Sequence, residues 1–308
     1  MKRTRFFVLG LALACALVAD RAASAPAGPV IHIEDVARFY KVYDAARGHP
    51  TAEQLQREYL DPGSPGLHRF AKLRNITGTR IAETLAKRPQ IYSGARRCMA
   101  VLPRVRARVA VALRKLGELY PRAQYPPVTI AVSRGKPVGV ADASGVMIGL
   151  EALCATGWLN PDVTDRFVHV IAHEYTHVQQ ALNAPALYNK PKPTVLEASL
   201  VEGAAEFTGE LISGGIAYSY FPAMTKGREK EIETAFVRDE QKTDLSKWLY
   251  NSTPEKPADL GYWVGYRIVK SYYGHARDKR RALREIIEMT DAKAFLAKSG
   301  WYPGMRLN

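Results

Sequence analysis

Cysteine is scarce in this sequence: there are three in 308 residues, no two of them in CxxC spacing, so a cysteine-based zinc site has no support. Long hydrophobic runs are lacking as well. The longest, Phe6 to Ala19, has 14 residues, short of the ~20 that a membrane-spanning helix needs, and no span is expected. The composition also lacks the low-apolar, high-charge signature of disorder, with 47% hydrophobic and 24% charged residues. Acidic residues are the minority charge. Thirty Asp and Glu against forty-four Lys and Arg leave a net +14, which favours anionic neighbours without specifying any chemistry. Internal repeats, low-complexity tracts and a convincing interdomain linker are missing too.

The N-terminus has a cationic start (Lys2, Arg3, Arg5), then the apolar run, then the small-residue site Ala23-Ser24-Ala25. These are the three regions of a secretory signal peptide, so residues 1–25 are expected to be removed and the protein exported, either periplasmic or secreted. The alternative is a lipoprotein anchored at Cys15, since Leu13-Ala14-Cys15 partly matches a lipobox. Export would leave Cys98 and Cys154, either as one disulfide or as two buried thiols.

Hydrophobic periodicity predicts helices over Ile33–Ala46, Thr51–Tyr59, Gly66–Leu73, Thr77–Leu85 and Arg96–Tyr120. Two short strands follow, Val128–Val132 and Val146–Leu150, around a Gly/Pro/Ser-rich connection. Helices then return over Val163–Leu182, Thr194–Ser213, Lys226–Arg238, Leu245–Tyr250, Gly261–Tyr273, Asp278–Met289 and Asp291–Lys298. The expected fold class is therefore α+β and mostly helical. Cations on the 96–120 helix (Arg104, Arg106, Arg108, Arg114, Lys115) and near Lys279–Arg284 fall off the apolar stripe. They read as solvated faces, not as a nucleic-acid surface.

The chemistry concentrates in His173-Glu174-Tyr175-Thr176-His177, an HExxH pattern. With seven His and eighteen Glu in the chain, composition alone would yield it with a probability of roughly 0.01. Imidazoles at i and i+4 share one helical face and can converge on one metal ion, with Glu174 beside it as general base. A metzincin continuation would need Gly at 180 and His at 183, where the sequence has Gln180 and Asn183. Catalytic zinc usually takes three protein ligands. Twenty-five residues after His177 comes Glu202-Gly203-Ala204-Ala205-Glu206, whose small residues permit close helix approach. Glu202 is the candidate third ligand, and Glu206, one turn on, the candidate partner for the free N–H of a ligand histidine. His169 lies a turn too early to join the same ion and reads as packing or support.

These segments, together with Gly261-Tyr262-Trp263-Val264-Gly265-Tyr266, resemble the gluzincin clan of zinc metallopeptidases, and most of all an uncharacterised bacterial family of predicted zinc-dependent proteases. The resemblance covers roughly residues 120 to 300. It implies a zincin-like domain whose small sheet precedes the HExxH helix, zinc as cofactor, and Glu202 as third ligand. It also implies an edge strand along the cleft, which maps onto Val146–Glu151. Residues 26–308 are then one metallopeptidase domain, with a helical N-terminal part (26–120) and a catalytic part (121–308). The expected function is an exported zinc hydrolase cleaving peptide or protein amide bonds, with Glu174 as base toward a zinc-activated water. Tyr262 and Tyr266, on one face of their helix, are candidate donors to the oxyanion, with Tyr266 slightly preferred and aromatic packing the rival role. The competing functions are a non-catalytic, zinc-stabilised envelope protein that binds polyanions, and a zinc hydrolase of another amide. Nothing in the sequence fixes an oligomeric state.

Overall fold

In the computed structural model, which describes residues 30–136, 138–253 and 255–307, the chain is mostly helical with one small sheet, the expected α+β class. The expected signal peptide, 1–25, and the alternative anchor at Cys15 lie outside the described residues. A two-residue strand, β1 (Ile31–His32), leads into α1 (Glu34–Ala45). Then come α2 (Ala52–Gln54), a π-helical turn over Leu55–Leu60, α3 (Pro65–Arg74), α4 (Gly78–Lys87), α5 (Pro89–Ala95), a 3-10 stretch over Arg96–Val101 and α6 (Leu102–Leu119). The sheet is completed by β2 (Val128–Ala131), β3 (Gly139–Asp142) and β4 (Gly145–Gly149), with α7 (Leu150–Ala155) directly after it. The rest is helical: α8 (Val163–Asn183), α9 (Pro185–Tyr188), α10 (Val195–Ser213), α11 (Phe221–Thr225), α12 (Glu229–Asp239), α13 (Leu260–His275), α14 (Lys279–Ile287) and α15 (Ala292–Lys298). Among the described residues no helix is long and apolar enough to cross a membrane.

The strand order is β1-β2-β4-β3, with β2 parallel to β1 and β4, and β3 antiparallel to β4. This corrects the expectation that the cleft edge lies at Val146–Glu151. Strand β4 is paired on both sides and buried throughout, and Leu150 and Glu151 already belong to α7. The edge strand on the cleft is β3, hidden from the sequence because four strand residues sit inside a connection rich in turn formers. A tight reversal joins β3 to β4, where Asp142 Oδ1 accepts the Ser144 N–H at 2.8 Å. The expected Leu245–Tyr250 helix is also corrected. Those residues form turns: Asp244 captures the Ser246 N–H at 3.0 Å, and Tyr250 takes a left-handed φ of 58°, so local side-chain capture displaces a helical start.

Two apolar cores meet along α8 and α10. The first gathers the N-terminal helices, the sheet and one flank of α8 (Phe167, Val168, Ile171, Tyr175, Val178), and it includes the α6 stripe Leu102, Val105, Val109, Leu113, Leu116 and Tyr120. The second joins α10 to α12–α15 through Leu200, Phe207, Phe236, Val264, Ile268 and Ile286. The arginines and lysine of α6 are exposed or half-exposed, as a solvated face requires; Arg108, for example, pairs with Asp165. Helix α8 starts where Asp162 accepts the Asp165 N–H. Helix α10 starts in a reciprocal Thr194–Glu197 capping box and stops at Gly214, whose φ of 88° suits glycine.

Cys98 and Cys154 form a disulfide that ties the 3-10 stretch before α6 to α7 across 56 residues of sequence. Closing a loop of that length stabilises the fold by about 4 kcal/mol in the chain-entropy picture. Both cysteines should therefore resist thiol alkylation in unfolded, unreduced protein and label only after reduction, as mass spectrometry would show. The double Cys98→Ser, Cys154→Ser variant should melt several degrees lower than wild type.

Candidate metal centre

Along α8 almost every residue from Thr164 to Gln180 is buried, because one flank faces the first core and the other meets α10. His173 and His177, one turn apart, bring their Nε2 atoms to 3.0 Å. Helix α10 crosses so that Glu202 points between them: its Oε2 lies 3.1 Å from His177 Nε2 and 3.3 Å from His173 Nε2. A tetrahedral zinc ion with bonds of about 2.0–2.1 Å separates its donors by about 3.3–3.4 Å. A donor triangle of 3.0, 3.1 and 3.3 Å fits such an ion, and two nitrogens with a carboxylate are a donor set that zinc favours.

Small residues set this depth of crossing. A Cβ at Gly203 would overlap the Gly265 carbonyl carbon, and one at Gly265 would overlap the Ser199 carbonyl, so α10 and α13 touch backbone to backbone. Six residues further on, a Cβ at Gly209 would come within 3.3 Å of the His173 backbone nitrogen, so α10 also lies close along α8.

The outward ring nitrogens of both histidines have partners. His177 Nδ1 donates to Gln180 Oε1 at 2.7 Å, and Gln180 Nε2 donates to the Val201 carbonyl at 3.0 Å. His173 Nδ1 lies 2.8 Å from Glu206 Oε1, within ion-pair reach although the N–H is not aligned on the oxygen. Glu206 Oε2 accepts the Ala217 N–H at 3.1 Å. The Gln180 contact leaves the His177 Nε2 lone pair free for an ion. Gln180 entered the sequence reading only as the residue that breaks the metzincin pattern. Its i+3 spacing from His177 was the signal that could have assigned it this role.

Electrostatics point the same way. Burial opposes charge on the His173 ring, yet Glu202 and Glu206 outweigh it and push its pKa up to about 10. Burial would also raise Glu202, but the two imidazoles hold it well below the usual carboxylate range. The site therefore demands positive charge at the point where the three donors converge, and a divalent cation meets that demand. Burial pushes the Glu174 carboxyl up, against the pull of His177 and His173.

Glu174 faces a cleft of about 660 Å³. One wall is β3, and it comes so close that a Cβ at Gly139 would stand 2.5 Å from Glu174 Oε1. Tyr188, Tyr218, Tyr250 and Tyr262 also line it, and α3 contributes Arg69 and Arg74. Tyr262 stacks against the His173 ring with centroids 6.3 Å apart and planes inclined by 17°. Tyr266, the slightly preferred oxyanion candidate, is corrected. One turn along α13, its hydroxyl donates to Glu210 Oε2 at 2.7 Å and accepts from Lys270 at 2.7 Å, within a separate cavity. Sharing a helical face with Tyr262 was not enough, because the turn between them carries Tyr266 past the centre. Tyr250, which sequence reasoning missed, is 66% exposed and donates to Glu202 Oε1 at 2.8 Å from its left-handed backbone. His169 stays out of the donor set, with Nδ1 2.8 Å from Ser213 Oγ.

Residues 151–296 match a family described as "Predicted Zn-dependent protease (DUF2268)". The matched stretch contains both helices of the donor triangle and all of α13, and the description agrees with the family that the motifs resemble. The family is described as zinc-dependent, and His173, His177 and Glu202 are a group able to hold the ion. No curated protein and no solved structure matches the chain.

Purified protein should hold about one zinc per chain after dialysis, measured by elemental analysis. Glu202→Gln should weaken retention more than Glu206→Gln, because one removes a donor and the other an orienting contact. The reverse order would exchange the two roles.

Proposed function

We propose that this protein is an exported zinc-dependent peptidase of the gluzincin type, with Glu174 as its general base. The observation that carries this reading is the open side of the donor triangle. Three protein donors converge where an extended cleft, an unpaired strand edge and a buried carboxylate meet, whereas a purely structural zinc site is closed by a fourth protein ligand. That difference also weighs against the non-catalytic envelope role. Export is supported by the Cys98–Cys154 bridge, since disulfides persist in oxidising compartments.

A zinc ion, when bound by His173, His177 and Glu202, would supply Lewis acidity that acidifies a water and polarises the substrate carbonyl. The chain's own residues do the rest. Strand β3 offers its free edge to an extended peptide. Because Val138 bonds toward β4 through its carbonyl to Gly149 N–H, alternation turns the main-chain groups of Gly139 and Ala141 away from β4. The Ala141 carbonyl is already engaged by the Tyr188 hydroxyl at 2.8 Å, which leaves Gly139 and the Ala141 N–H to receive the substrate strand. Such main-chain pairing holds a peptide in place with little dependence on its sequence.

Glu174, at the head of that edge, takes a proton from the attacking water and returns it to the departing amine. Gly139 must lack a side chain so that this carboxylate can stand beside the strand. Negative charge that develops on the carbonyl oxygen needs a hydrogen-bond donor. Tyr262 lines the cleft against His173, and its hydroxyl has no hydrogen-bond partner among the described residues. Tyr250, whose hydroxyl donates to Glu202, is another candidate in the same cleft.

Glu174→Gln should keep its zinc and its melting temperature while hydrolysis of a peptide library falls at least 10²-fold, the lower end of what a general base supplies. Activity within about threefold of wild type would remove Glu174 from that role. Tyr262→Phe should lower kcat by about 10²-fold, whereas Tyr266→Phe should stay close to wild type. Gly139→Ala, far from every metal donor in sequence, should retain zinc and lose most activity because its methyl displaces the Glu174 carboxylate.

A further inference from the structure

One cation along the cleft has no ion-pair partner among the described residues. Apart from the donor histidines, the charged residues lining it are Arg69, Arg74, Asp142, Glu174 and Glu202. Glu174 and Glu202 lie at the donor triangle itself, with Glu206 behind His173. Arg69 is neutralised by Asp142. Arg74 enters no ion pair among the described residues, is exposed, and forms part of the cleft wall, so its guanidinium is open to a ligand in the cleft. The Arg74 charge favours the ionised forms of Glu174, Tyr188 and Tyr250, against burial at Glu174 and Tyr188 and against the Glu202 carboxylate at Tyr250, which act more strongly.

The backbone that presents Arg74 is firmly held. Leu67 and Phe70 of α3 are fully buried, and Gly66 lies so close to β2 that a Cβ would overlap the Thr129 side chain. The start of α3 is fixed by Ser64, which caps Leu67 N–H at 3.2 Å and donates to Asp35 Oδ2 at 2.5 Å. Arg69 ties the middle of the helix to the end of β3, and the Arg74 carbonyl accepts from Arg134 Nε at 2.9 Å. Asn75 ends the helix in the left-handed region at φ 49°. The five residues from Arg69 to Arg74 advance about 7.5 Å along the helix. That carries Arg74 away from Asp142 and toward the segment before β3, on the Gly139 and Glu174 side.

Resting on the peptidase reading above, we infer that Arg74 binds a carboxylate of the substrate, so that peptides carrying one close to the scissile bond are cut in preference to neutral ones. A guanidinium presents a planar fork that matches a carboxylate in two parallel hydrogen bonds. Because α3 lies outside the family-matched stretch 151–296, this selectivity comes from the N-terminal helices and not from the zinc-site segment. The carboxylate has two sources, an Asp or Glu side chain or the C-terminus of the peptide, and the same fork serves either.

The test uses internally quenched peptides identical except for Glu or Gln at each of three positions on either side of the cleaved bond, plus a pair differing only as C-terminal acid or amide. The zinc-loaded wild-type protein should prefer the carboxylate member of at least one pair by about tenfold or more in kcat/KM, mainly through KM. A side-chain source shows at one internal position and a terminal source in the acid–amide pair. Arg74→Met should bring the ratio toward one, Arg74→Lys should keep part of it, and Arg74→Glu should favour a Lys-bearing peptide instead. Affinities of the same peptides for zinc-loaded Glu174→Gln protein, measured by fluorescence anisotropy, should show the same preference and lose it with Arg74→Met. Peptides cut without any carboxylate preference, or a preference unchanged in Arg74→Met, would overturn this inference and leave the peptidase reading standing. No cleavage and no binding of any peptide would overturn both.

Discussion

Two imidazole nitrogens 3.0 Å apart, both within 3.3 Å of one carboxylate oxygen in a buried pocket, form a donor triangle that a shared proton or a metal ion holds together. Because His177 Nδ1 donates to Gln180, its Nε2 lone pair points into the triangle, and burial removes the water that would otherwise satisfy it. The surrounding structure keeps that crowded triangle in place. Helix α8 supplies both rings from one turn, Gln180 and Glu206 steady their outer nitrogens, and the glycine contact between Gly203 and Gly265 sets how deeply α10 can seat. An alanine at either glycine would force α10 and α13 apart and move Glu202 with them.

The centre also lies where two apolar cores join. Helix α8 belongs to the core shared with the sheet and the N-terminal helices, and α10 to the core shared with α12–α15. A metal ion held between them draws its donors from both, so its binding free energy also stabilises the packing of one core against the other. The cleft inherits this construction: β3 and the helix α3 that carries Arg74 pack into the first core, and Tyr262 belongs to the second.

The sequence exposed the centre more clearly than its surroundings. His173, His177 and Glu202 were legible because a helical repeat dictates which side chains share a face and the small residues at 203–205 permit close helix approach. The stripe of α6 was legible for the same reason. What escaped depends on long-range geometry. Strand β3 has only four residues and depends on pairing with β4, so it shows no period of its own, and the edge was assigned to the wrong strand. Tyr250 reaches Glu202 from a turn whose left-handed backbone no pattern announces. Tyr266 shares a face with Tyr262, but Glu210 and Lys270 on its far side capture its hydroxyl. The bridge between Cys98 and Cys154 likewise depends on α7 packing beside α5 and the 3-10 stretch, an arrangement set by the tertiary fold.

The central claim is that one zinc ion is held by two histidines and one carboxylate with a side left open. Zinc-edge X-ray absorption of the purified protein tests it most directly. The account predicts a shell of nitrogen and oxygen donors at about 2.0–2.2 Å, with outer scattering that fits two imidazoles. A sulfur shell at about 2.3 Å, or outer scattering that requires three or more imidazoles, would contradict it.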